Sequence, residues 1–201
     1  MNDKHIKIFT VNTSSKTAGL SPANNERIEI FFAGCKMARE GNPCEGCFNK
    51  DLWYDDSFYD ETPKTIIENI KKTTDNKYIT IVGGEPMDQP EGLEALVKEL
   101  HNNKYHIVLI THYLKKDIPK KILNHINILI DGKYENDKRI FDTDKRHGVL
   151  HVVGSSNQQL YANVFGKFVN ITRKSEKELE KYYVIDTRKK YLNKKEVQGW
   201  L

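Results

Sequence analysis

The sequence predicts an α/β fold with a mostly parallel sheet, built as a single domain. A chain of 201 residues is long enough for one domain with a buried core. Apolar strand-like runs alternate with amphipathic helical segments, and the connections between them are short. Such an alternation is typical of parallel sheets with right-handed crossovers, and no repeat or linker divides the chain.

The first half of the chain begins with an apolar alternation over 6–11 and a polar link over 12–25. Residues 28–33 then predict a strand that ends at a glycine immediately before a cysteine. A helix is predicted from Pro63, because Thr62 suits the N-cap and proline suits the first helical position. Residues 78–82 form the next predicted strand, which is continuously β-rich, as a covered parallel strand should be.

The second half continues the alternation. A helix near Pro90 carries a leucine and valine stripe that we interpret as core packing. The remaining predicted elements are a strand at 106–110, a short helix from about 119, a strand at 126–130, an apolar run at 149–153 and a last helix. Ser175 with Glu178 forms the capping-box pattern that starts this last helix.

Composition and charge narrow the class of protein. No apolar run approaches the roughly 18 residues of a membrane span, and the N-terminal residues lack the apolar region of a secretory signal. An odd number of clustered cysteines fits a reducing cytoplasm better than a disulfide framework. The formal net charge of +4 is mild, and the basic excess at 173–195 reads as a solvated surface. We therefore expect a cytoplasmic protein without membrane or nucleic-acid partners.

All three cysteines of the chain, Cys35, Cys44 and Cys47, lie in one short segment after the first predicted parallel strand. Three thiolates can hold three irons of a [4Fe-4S] cluster and leave the fourth iron open for chemistry. There are two alternatives. One is a structural zinc with a histidine as its fourth ligand, but none of the seven histidines lies in this segment. The other is that the cysteines bind no metal. The pattern favours the cluster, with these cysteines as its ligands.

A second motif, Gly-Gly-Glu-Pro at 83–86, directly follows the second predicted parallel strand. Glycines let a ligand approach the backbone closely, and their carbonyls can accept hydrogen bonds from an ammonium group. We expect Glu85 at the rim, where its charge complements that group; an ordinary turn is the alternative. The carboxyl ends of parallel strands share one edge, so both motifs should converge there with Thr111 and Asp131.

These motifs resemble the radical S-adenosylmethionine superfamily, and more closely its activating proteins of anaerobic ribonucleoside-triphosphate reductases. The resemblance covers roughly residues 28–165 and rests on 31–35 (Phe-Phe-Ala-Gly-Cys), 44–49 (Cys-Glu-Gly-Cys-Phe-Asn) with Trp53, 83–86, 129–134 (Leu-Ile-Asp-Gly-Lys-Tyr) and 154–158 (Gly-Ser-Ser-Asn-Gln). One departure is that eight residues, 36–43, separate the first two cysteines, where the family usually has three. Doubling a loop costs only about 0.6 kcal/mol, against metal–thiolate binding on the order of 10 kcal/mol. The cluster therefore remains expected, and the extra residues can alter the surface that meets a partner.

The resemblance implies a partial (β/α) barrel of the radical SAM type, with a core at about 28–165 and a C-terminal extension at 166–201. It implies an oxidoreductase whose reduced cluster cleaves S-adenosylmethionine to methionine and a 5′-deoxyadenosyl radical. That radical would abstract a hydrogen from a glycine of anaerobic ribonucleoside-triphosphate reductase and leave a glycyl radical. A reducing electron donor such as flavodoxin or ferredoxin is implied as a second partner.

The resemblance also assigns cofactor-binding positions, although no catalytic residue. Glu85 and the carbonyls of Gly83 and Gly84 would hold the amine of S-adenosylmethionine. Gly46 and Phe48 would flank its adenine, with core packing as the alternative for Phe48. Thr111, Asp131 and Lys133 are weaker assignments, to the ribose, the carboxylate or an associated cation. The alternatives for these three residues are strand-end capping and surface charge. We interpret 154–158 as a loop that covers the site.

Two other functions stay open at this point. A compact radical SAM enzyme acting on a small purine-like molecule would share both motifs, and such enzymes also vary the cysteine loop. A zinc-stabilised binding module without catalysis would need the cysteines alone. The short chain, without cysteines for auxiliary clusters, favours an activase whose site stays open to a protein loop.

Overall fold

The structure, a computed structural model, describes residues 4–15, 26–56, 58–140 and 153–184. Within these ranges, eight strands form one sheet. The strands are β1 (Ile6–Ser15), β2 (Arg27–Phe32), β3 (Tyr59–Glu61), β4 (Tyr78–Gly83), β5 (His106–Ile110), β6 (Ile128–Asp131), β7 (Gln159–Val164) and β8 (Lys167–Asn170). The α-helices are α1 (Lys36–Arg39), α2 (Pro63–Thr73), α3 (Pro90–Asn102), α4 (Lys120–Leu123) and α5 (Glu176–Val184).

The sheet is mixed, with the strand order β3-β1-β2-β4-β5-β6-β7-β8. The four central strands, β2, β4, β5 and β6, are parallel to one another. The pairs toward both edges are antiparallel. The predicted α/β class is confirmed, but the expectation of a mostly parallel sheet holds only for the centre. The reason at one edge is chain length: two residues, Phe165 and Gly166, join β7 to β8, whereas a parallel pair needs a crossover of a dozen or more.

The crossovers between the central strands follow the predicted helices. Thr62 caps α2 by accepting a hydrogen bond from the Thr65 N–H over 3.2 Å, and Pro63 occupies the first turn. α3 begins at Pro90, and α4 is a single turn after Pro119. These helices return the chain to the start of the next parallel strand. The carboxyl ends of the parallel strands therefore lie at the same edge of the sheet.

Helices cover both faces of the sheet, so consecutive residues of a central strand reach different cores. In β5, Ile107 and Leu109 pack in the larger core with α2 and α3, whereas Val108 packs in a second core with α5. α5 contributes Leu179 and Tyr182 to that second core. This two-sided burial explains why β5 is apolar from Ile107 to Ile110 without alternation.

Some elements differ from the sequence predictions. Residues 12–15, expected in a polar link, continue β1, while 16–25 lie outside the described residues. The apolar run at 149–153 is also outside them except for Val153, which is buried. The predicted capping box is present, because both the N–H and the hydroxyl of Ser175 donate to Glu178 Oε2, over 2.9 and 2.8 Å. In the part of the chain that is described, no helix is long and apolar enough to cross a membrane.

Candidate functional site

The carboxyl ends of the four parallel strands surround one cavity of about 250 Å³. The cysteine segment follows β2, the glycine turn follows β4, and further side chains follow β5 and β6. Residues of all four segments line the cavity together, as the strand-end rule predicts. The lining includes Cys35, Cys44, Cys47, Phe48, Gly83, Gly84, Glu85, Thr111, His112, Gly132, Tyr134, Gly154 and Gln158.

The long spacing between the first two cysteines has a local structure. Cys35 sits at the N-cap of α1, and its N–H donates to the Trp53 carbonyl over 2.9 Å. α1 makes one turn, after which the N–H of Asn42 bonds back to the Met37 carbonyl over 3.0 Å. The chain then returns to Cys44. The extra residues therefore fold as a helical turn beside the cavity rather than as an open loop.

All three thiols are free, and their surroundings fit cluster ligands. Cys35 is buried, and Cys44 and Cys47 are half-buried. Burial raises the pKa of Cys44, an effect that the nearby Cys47 and Cys35 sulfurs reinforce and that the Tyr134 amide and Lys133 charge oppose. Across the described ranges, no three His, Cys, Asp or Glu residues are close enough to share one metal ion. Cysteines that bind a cluster each take a different iron, so they line a cavity without meeting at a point.

Asn49 joins the cysteine segment to the glycine turn. Its backbone N–H faces Cys47 Sγ at 3.4 Å, and its side-chain amide donates to the Gly83 carbonyl over 3.0 Å. Asn49 is the last residue of the 44–49 motif, but no role was predicted for it. Its two contacts fix the position of one sulfur relative to the strand that carries the turn.

The two glycines of the turn are required by backbone packing. A Cβ on Gly83, whose φ is +137°, would lie 2.3 Å from the Phe32 backbone, and one on Gly84 would lie 2.1 Å from the Gly34 carbonyl oxygen. The turn is also bonded there, since the Glu85 N–H donates to the Gly34 carbonyl over 2.8 Å. We expected the glycines to admit a ligand; their immediate neighbour is instead the chain that leads into Cys35.

Glu85 lies at the floor of the cavity, not at its rim as we expected. Its side chain is only 2% exposed, and both carboxylate oxygens accept hydrogen bonds from the protein. The Thr111 hydroxyl and the Met87 N–H donate to Oε1 over 2.6 and 2.8 Å. The His112 N–H donates to Oε2 over 2.9 Å, and the His112 Nδ1 is 2.8 Å from the same oxygen. A buried carboxylate needs such partners, which the strand-end backbone supplies here.

His112, the next residue after Thr111, was not predicted as a site residue. Its imidazole lines the cavity together with Cys35 and Glu85, and its Nδ1 is 2.8 Å from Glu85 Oε2. Burial alone would lower the pKa of His112, but hydrogen bonds to Cys35 and Glu85 outweigh burial and raise it to about 10. No local pattern singles out this histidine, because its partners come from two other strand ends.

Tyr113 and Asp88, which are not among the lining residues of the cavity, extend this arrangement. The Tyr113 ring stacks on the His112 ring at 4.7 Å, and its hydroxyl donates to Asp88 Oδ1 over 2.9 Å. Burial, with the hydrogen bond to Asp88, raises the pKa of Tyr113 to about 12. Asp88 also accepts from the N–H of Lys36, the first residue of α1. A series of contacts, from His112 through Tyr113 and Asp88, thus reaches the cysteine segment at Lys36.

The three weaker sequence assignments separate in the structure. Thr111 lines the cavity, but its hydroxyl donates its hydrogen bond to Glu85. Asp131 is buried and accepts from the Lys115 N–H over 2.6 Å; burial raises its pKa, and that hydrogen bond opposes the rise. Lys133 is half-buried, with its ammonium 3.5 Å from Asn42 Oδ1. The contacts of Asp131 are those of a strand-end cap, which is the alternative stated above for these residues.

Phe48 lines the cavity, whereas Gly46 is not among the lining residues. Gly46 has a φ of +69°, and a Cβ there would approach Asn136 Oδ1 to 2.6 Å. Phe48 is 64% exposed, so the alternative that it packs in the core is wrong. Its ring lies 5.1 Å from the Tyr134 ring, with the Arg139 guanidinium 5.2 Å from the Phe48 ring centroid. An exposed aromatic face at the cavity edge is available to a planar ligand.

The segment 154–158 forms part of the cavity wall. Gln158 donates to the Gly132 carbonyl over 2.9 Å and accepts from the Gly154 N–H over 2.9 Å. Asn157 donates to the Lys133 carbonyl over 2.8 Å. These bonds fasten the segment to the chain that follows β6, and Gly154 and Gln158 both face the cavity.

Comparison with known proteins agrees with this arrangement. The family model described as a 4Fe-4S single cluster domain matches residues 24–161. Three similar proteins are each named anaerobic ribonucleoside-triphosphate reductase-activating protein. The one from Pasteurella multocida (strain Pm70) is 33% identical over 129 residues, which is 56% of this chain and 76% of the relative. The one from Enterobacteria phage T4 is 30% identical over 149 residues (70% and 86%), and the one from Salmonella typhi 29% over 147 residues (67% and 87%).

Proposed function

The chain belongs to the family of anaerobic ribonucleoside-triphosphate reductase-activating proteins, with its 4Fe-4S single cluster domain, and from this premise we propose that it is a radical S-adenosylmethionine activase. Its proposed substrate is a glycine of an anaerobic ribonucleoside-triphosphate reductase, which it would convert to a glycyl radical. One observation carries the proposal: the only three cysteines of the chain and the Gly-Gly-Glu turn line the same cavity at the ends of parallel strands.

Cys35, Cys44 and Cys47 are the proposed ligands of the cluster. When bound, the cluster would supply one electron to the sulfonium of S-adenosylmethionine, so that a carbon-centred radical can take a hydrogen atom from glycine. The chain's own part is to hold three sulfurs, exclude water and orient the cofactor. The burial of Cys35 and the hydrogen bond from the Asn49 N–H to Cys47 support this part.

The amine of the cofactor would be received at the glycine turn. The Gly83 carbonyl already accepts from Asn49, but a carbonyl oxygen has two lone pairs and can accept again. Glu85 would contribute negative charge from the cavity floor, held by Thr111 and His112. The exposed ring of Phe48, with Gly46 beside it, would receive the adenine. Thr111, Asp131 and Lys133 remain weaker candidates for the other groups of the cofactor.

We propose that the chain forms a partial barrel and that this shape keeps the cavity accessible to a loop of the reductase. The single-domain boundaries, the core at about 28–165 and the extension at 166–201 remain predictions. A flavodoxin or ferredoxin remains the proposed electron donor. The names of the relatives support the reductase as the protein substrate, because each is named for activating that enzyme.

The test is anaerobic reconstitution with iron and sulfide, followed by reduction in the presence of S-adenosylmethionine. We expect four irons per chain and formation of 5′-deoxyadenosine. Addition of an anaerobic ribonucleoside-triphosphate reductase should then give the organic radical signal of a glycyl radical in electron paramagnetic resonance. A protein that takes up one zinc and no iron would contradict the proposal.

Matched variants identify the ligands. Cys35→Ala, Cys44→Ala and Cys47→Ala should each lose the cluster, because each removes one thiolate. Production of 5′-deoxyadenosine with no radical on the reductase would point to the small-molecule radical enzyme instead. A fully loaded cluster in the Cys35→Ala variant would contradict the assignment of the long cysteine segment.

A further inference from the structure

We propose that Asp88 is a positioning residue that fixes the direction of Cys35 for the cluster. Its carboxylate accepts a hydrogen bond from the backbone N–H of Lys36, the residue that follows Cys35. The inference deepens the proposed function and rests on it, because Cys35 is a proposed iron ligand. Neither the family match nor the names of the relatives assigns a role to Asp88.

Cys35 occupies the N-cap of α1, where a helix needs acceptors from outside its own backbone. The first N–H groups of a helix have no intrahelical partner, and Ser, Thr, Asp or Asn at the N-cap usually supplies a side-chain oxygen. A cysteine sulfur is only a weak acceptor, and the Cys35 side chain makes no capping hydrogen bond. Cys35 lines the cavity instead, and Asp88 supplies an acceptor for Lys36, the first residue of α1.

The peptide group before Cys35 is held at both ends by other backbone groups. The Gly34 carbonyl accepts from the Glu85 N–H over 2.8 Å, and the Cys35 N–H donates to the Trp53 carbonyl over 2.9 Å. Because a peptide group is planar, two such bonds fix its orientation. Neither bond involves a side chain.

The peptide group after Cys35 is also held at both ends, but one of its two bonds depends on a side chain. The Cys35 carbonyl accepts from the Arg39 N–H over 3.1 Å, within α1. The Lys36 N–H at the other end donates to Asp88 Oδ2. The two peptide groups together set the direction of the Cys35 Cα–Cβ bond, which carries the sulfur. Asp88 is the one side chain among these four bonds, so its contribution can be isolated by mutation.

Asp88 is itself fixed and acts from outside the cavity. Its other carboxylate oxygen, Oδ1, accepts from the Tyr113 hydroxyl over 2.9 Å, and its N–H donates to the Glu85 carbonyl over 3.1 Å. Asp88 is half-buried and is not among the lining residues of the cavity. It therefore acts on a bound cluster only through Lys36 and Cys35, and it connects the position of Cys35 to the segment that carries Glu85.

The first measurement is amide hydrogen exchange in the cluster-free protein, followed by nuclear magnetic resonance. The Lys36 N–H has no partner within α1, so its protection reports the bond to Asp88. In Asp88→Ala this amide should exchange roughly 10- to 150-fold faster, as expected for the loss of a hydrogen bond to a charged group. Asp88→Asn keeps an oxygen that can accept from Lys36 and should restore most of the protection. A parent protein with an unprotected Lys36 amide, or an Asp88→Ala variant with the parent's exchange rate, would overturn the inference.

The second measurement is the rate at which a chelator removes iron from the reconstituted proteins. Asp88→Ala should take up iron but lose it several-fold faster than the parent, and Asp88→Asn should approach the parent. Tyr113→Phe removes the hydroxyl bonded to Asp88 Oδ1 but keeps the acceptor for Lys36, so its iron loss should match the parent's. Thr62→Ala is the control for a general loss of stability, because it removes the capping bond of α2, whose residues do not line the cavity.

The two measurements separate this inference from the proposed function. Iron loss that is unchanged in Asp88→Ala, or equally fast in Asp88→Ala and Thr62→Ala, would overturn the positioning role of Asp88 alone. A parent protein that binds no iron would remove the proposed function, and the exchange rate of the Lys36 amide would still show whether Asp88 makes the contact.

Discussion

The side-chain amide of Asn49 donates a hydrogen bond of 3.0 Å to the backbone carbonyl of Gly83. This contact connects two segments that carry different parts of the proposed chemistry, the cysteines and the glycine turn. The backbone of Asn49 also faces the Cys47 sulfur. One residue therefore sets how far a proposed iron ligand lies from the carbonyls proposed to hold the cofactor amine.

Replacement of Asn49 by alanine should loosen this connection. We expect the free energy of unfolding of the cluster-free protein to fall by about 1 kcal/mol, the usual contribution of one such hydrogen bond. Iron should also be lost faster from the reconstituted protein on exposure to a chelator. Asn103→Ala is the matched control, because Asn103 likewise donates to a backbone carbonyl, that of Glu99, but far from the cavity. Equal iron loss in both variants would contradict the linking role of Asn49.

Replacement of Gly84 by alanine should be far more damaging. The new Cβ would lie 2.1 Å from the Gly34 carbonyl oxygen and 2.6 Å from that of Leu52, and backbone atoms cannot turn aside as a side chain can. We expect a loss of about 3 kcal/mol or more in the free energy of unfolding, measured by urea denaturation. Gly41→Ala is the control: no atom lies within 4 Å of its Cβ, so it pays only for its φ of +79°, about 1–2 kcal/mol. Equal losses would mean that the contact at Gly84 relaxes.

The central strands could be read from the sequence because their signal is local. Residues 107–110 of β5 are continuously apolar, and burial on both faces of the strand is what that pattern predicts. The edge strand β3 has no such signal. It is three residues long, largely exposed, and is a strand only because it pairs with β1. The pairing of β3 with β1, which skips the intervening strand β2, is therefore the part of the sheet that the sequence could not predict.

The candidate site likewise has a part that could be predicted from the sequence and a part that could not. Cysteine and Gly-Gly-Glu-Pro spacing identified the segments around the cavity, since residue type and order alone carry that information. The burial of Glu85 and the contacts of His112 with it could not be predicted. Each depends on partners supplied by a different strand end, and no spacing within one segment encodes them.

The position of Glu85 leads to a prediction for Glu85→Gln. Both carboxylate oxygens accept hydrogen bonds, and each of them accepts one from a backbone N–H, those of Met87 and His112. A glutamine amide in either orientation turns a donor toward one of these N–H groups. We expect a loss of about 1–3 kcal/mol in unfolding free energy and weaker binding of S-adenosylmethionine, with the cluster still assembled. Glu94→Gln, at a half-buried glutamate on α3, is the control. Unchanged cofactor affinity would remove Glu85 from the amine site.

The capping box of α5 predicts a dependence on acid. Hydrogen bonds from the Ser175 N–H and hydroxyl lower the pKa of Glu178 from 4.5 to about 2. A lowered pKa in the folded state means that the ionised carboxylate stabilises the fold above the unfolded value of 4.5, and this contribution is lost as the pH falls toward 2. Glu178→Gln should therefore be less stable than the parent at pH 6, and the difference should shrink as the pH falls below 4.5. Urea denaturation of the cluster-free proteins across this range measures it; a constant difference would contradict the assignment.

The exposed ring of Phe48 gives the sharpest test of the proposed adenine site. Phe48 lies at the cavity and is 64% exposed, so Phe48→Ala removes an aromatic face without opening a core. Stacking of a base on an aromatic ring contributes about 1–3 kcal/mol, which corresponds to a roughly 5- to 150-fold weaker affinity for S-adenosylmethionine. Iron content should stay at the parent level, because Phe48 holds no iron. Tyr59→Ala is the matched control, since Tyr59 is 65% exposed but lies on the edge strand β3. Isothermal titration with the reconstituted proteins compares the three, and an unchanged affinity in Phe48→Ala would move the adenine away from this ring.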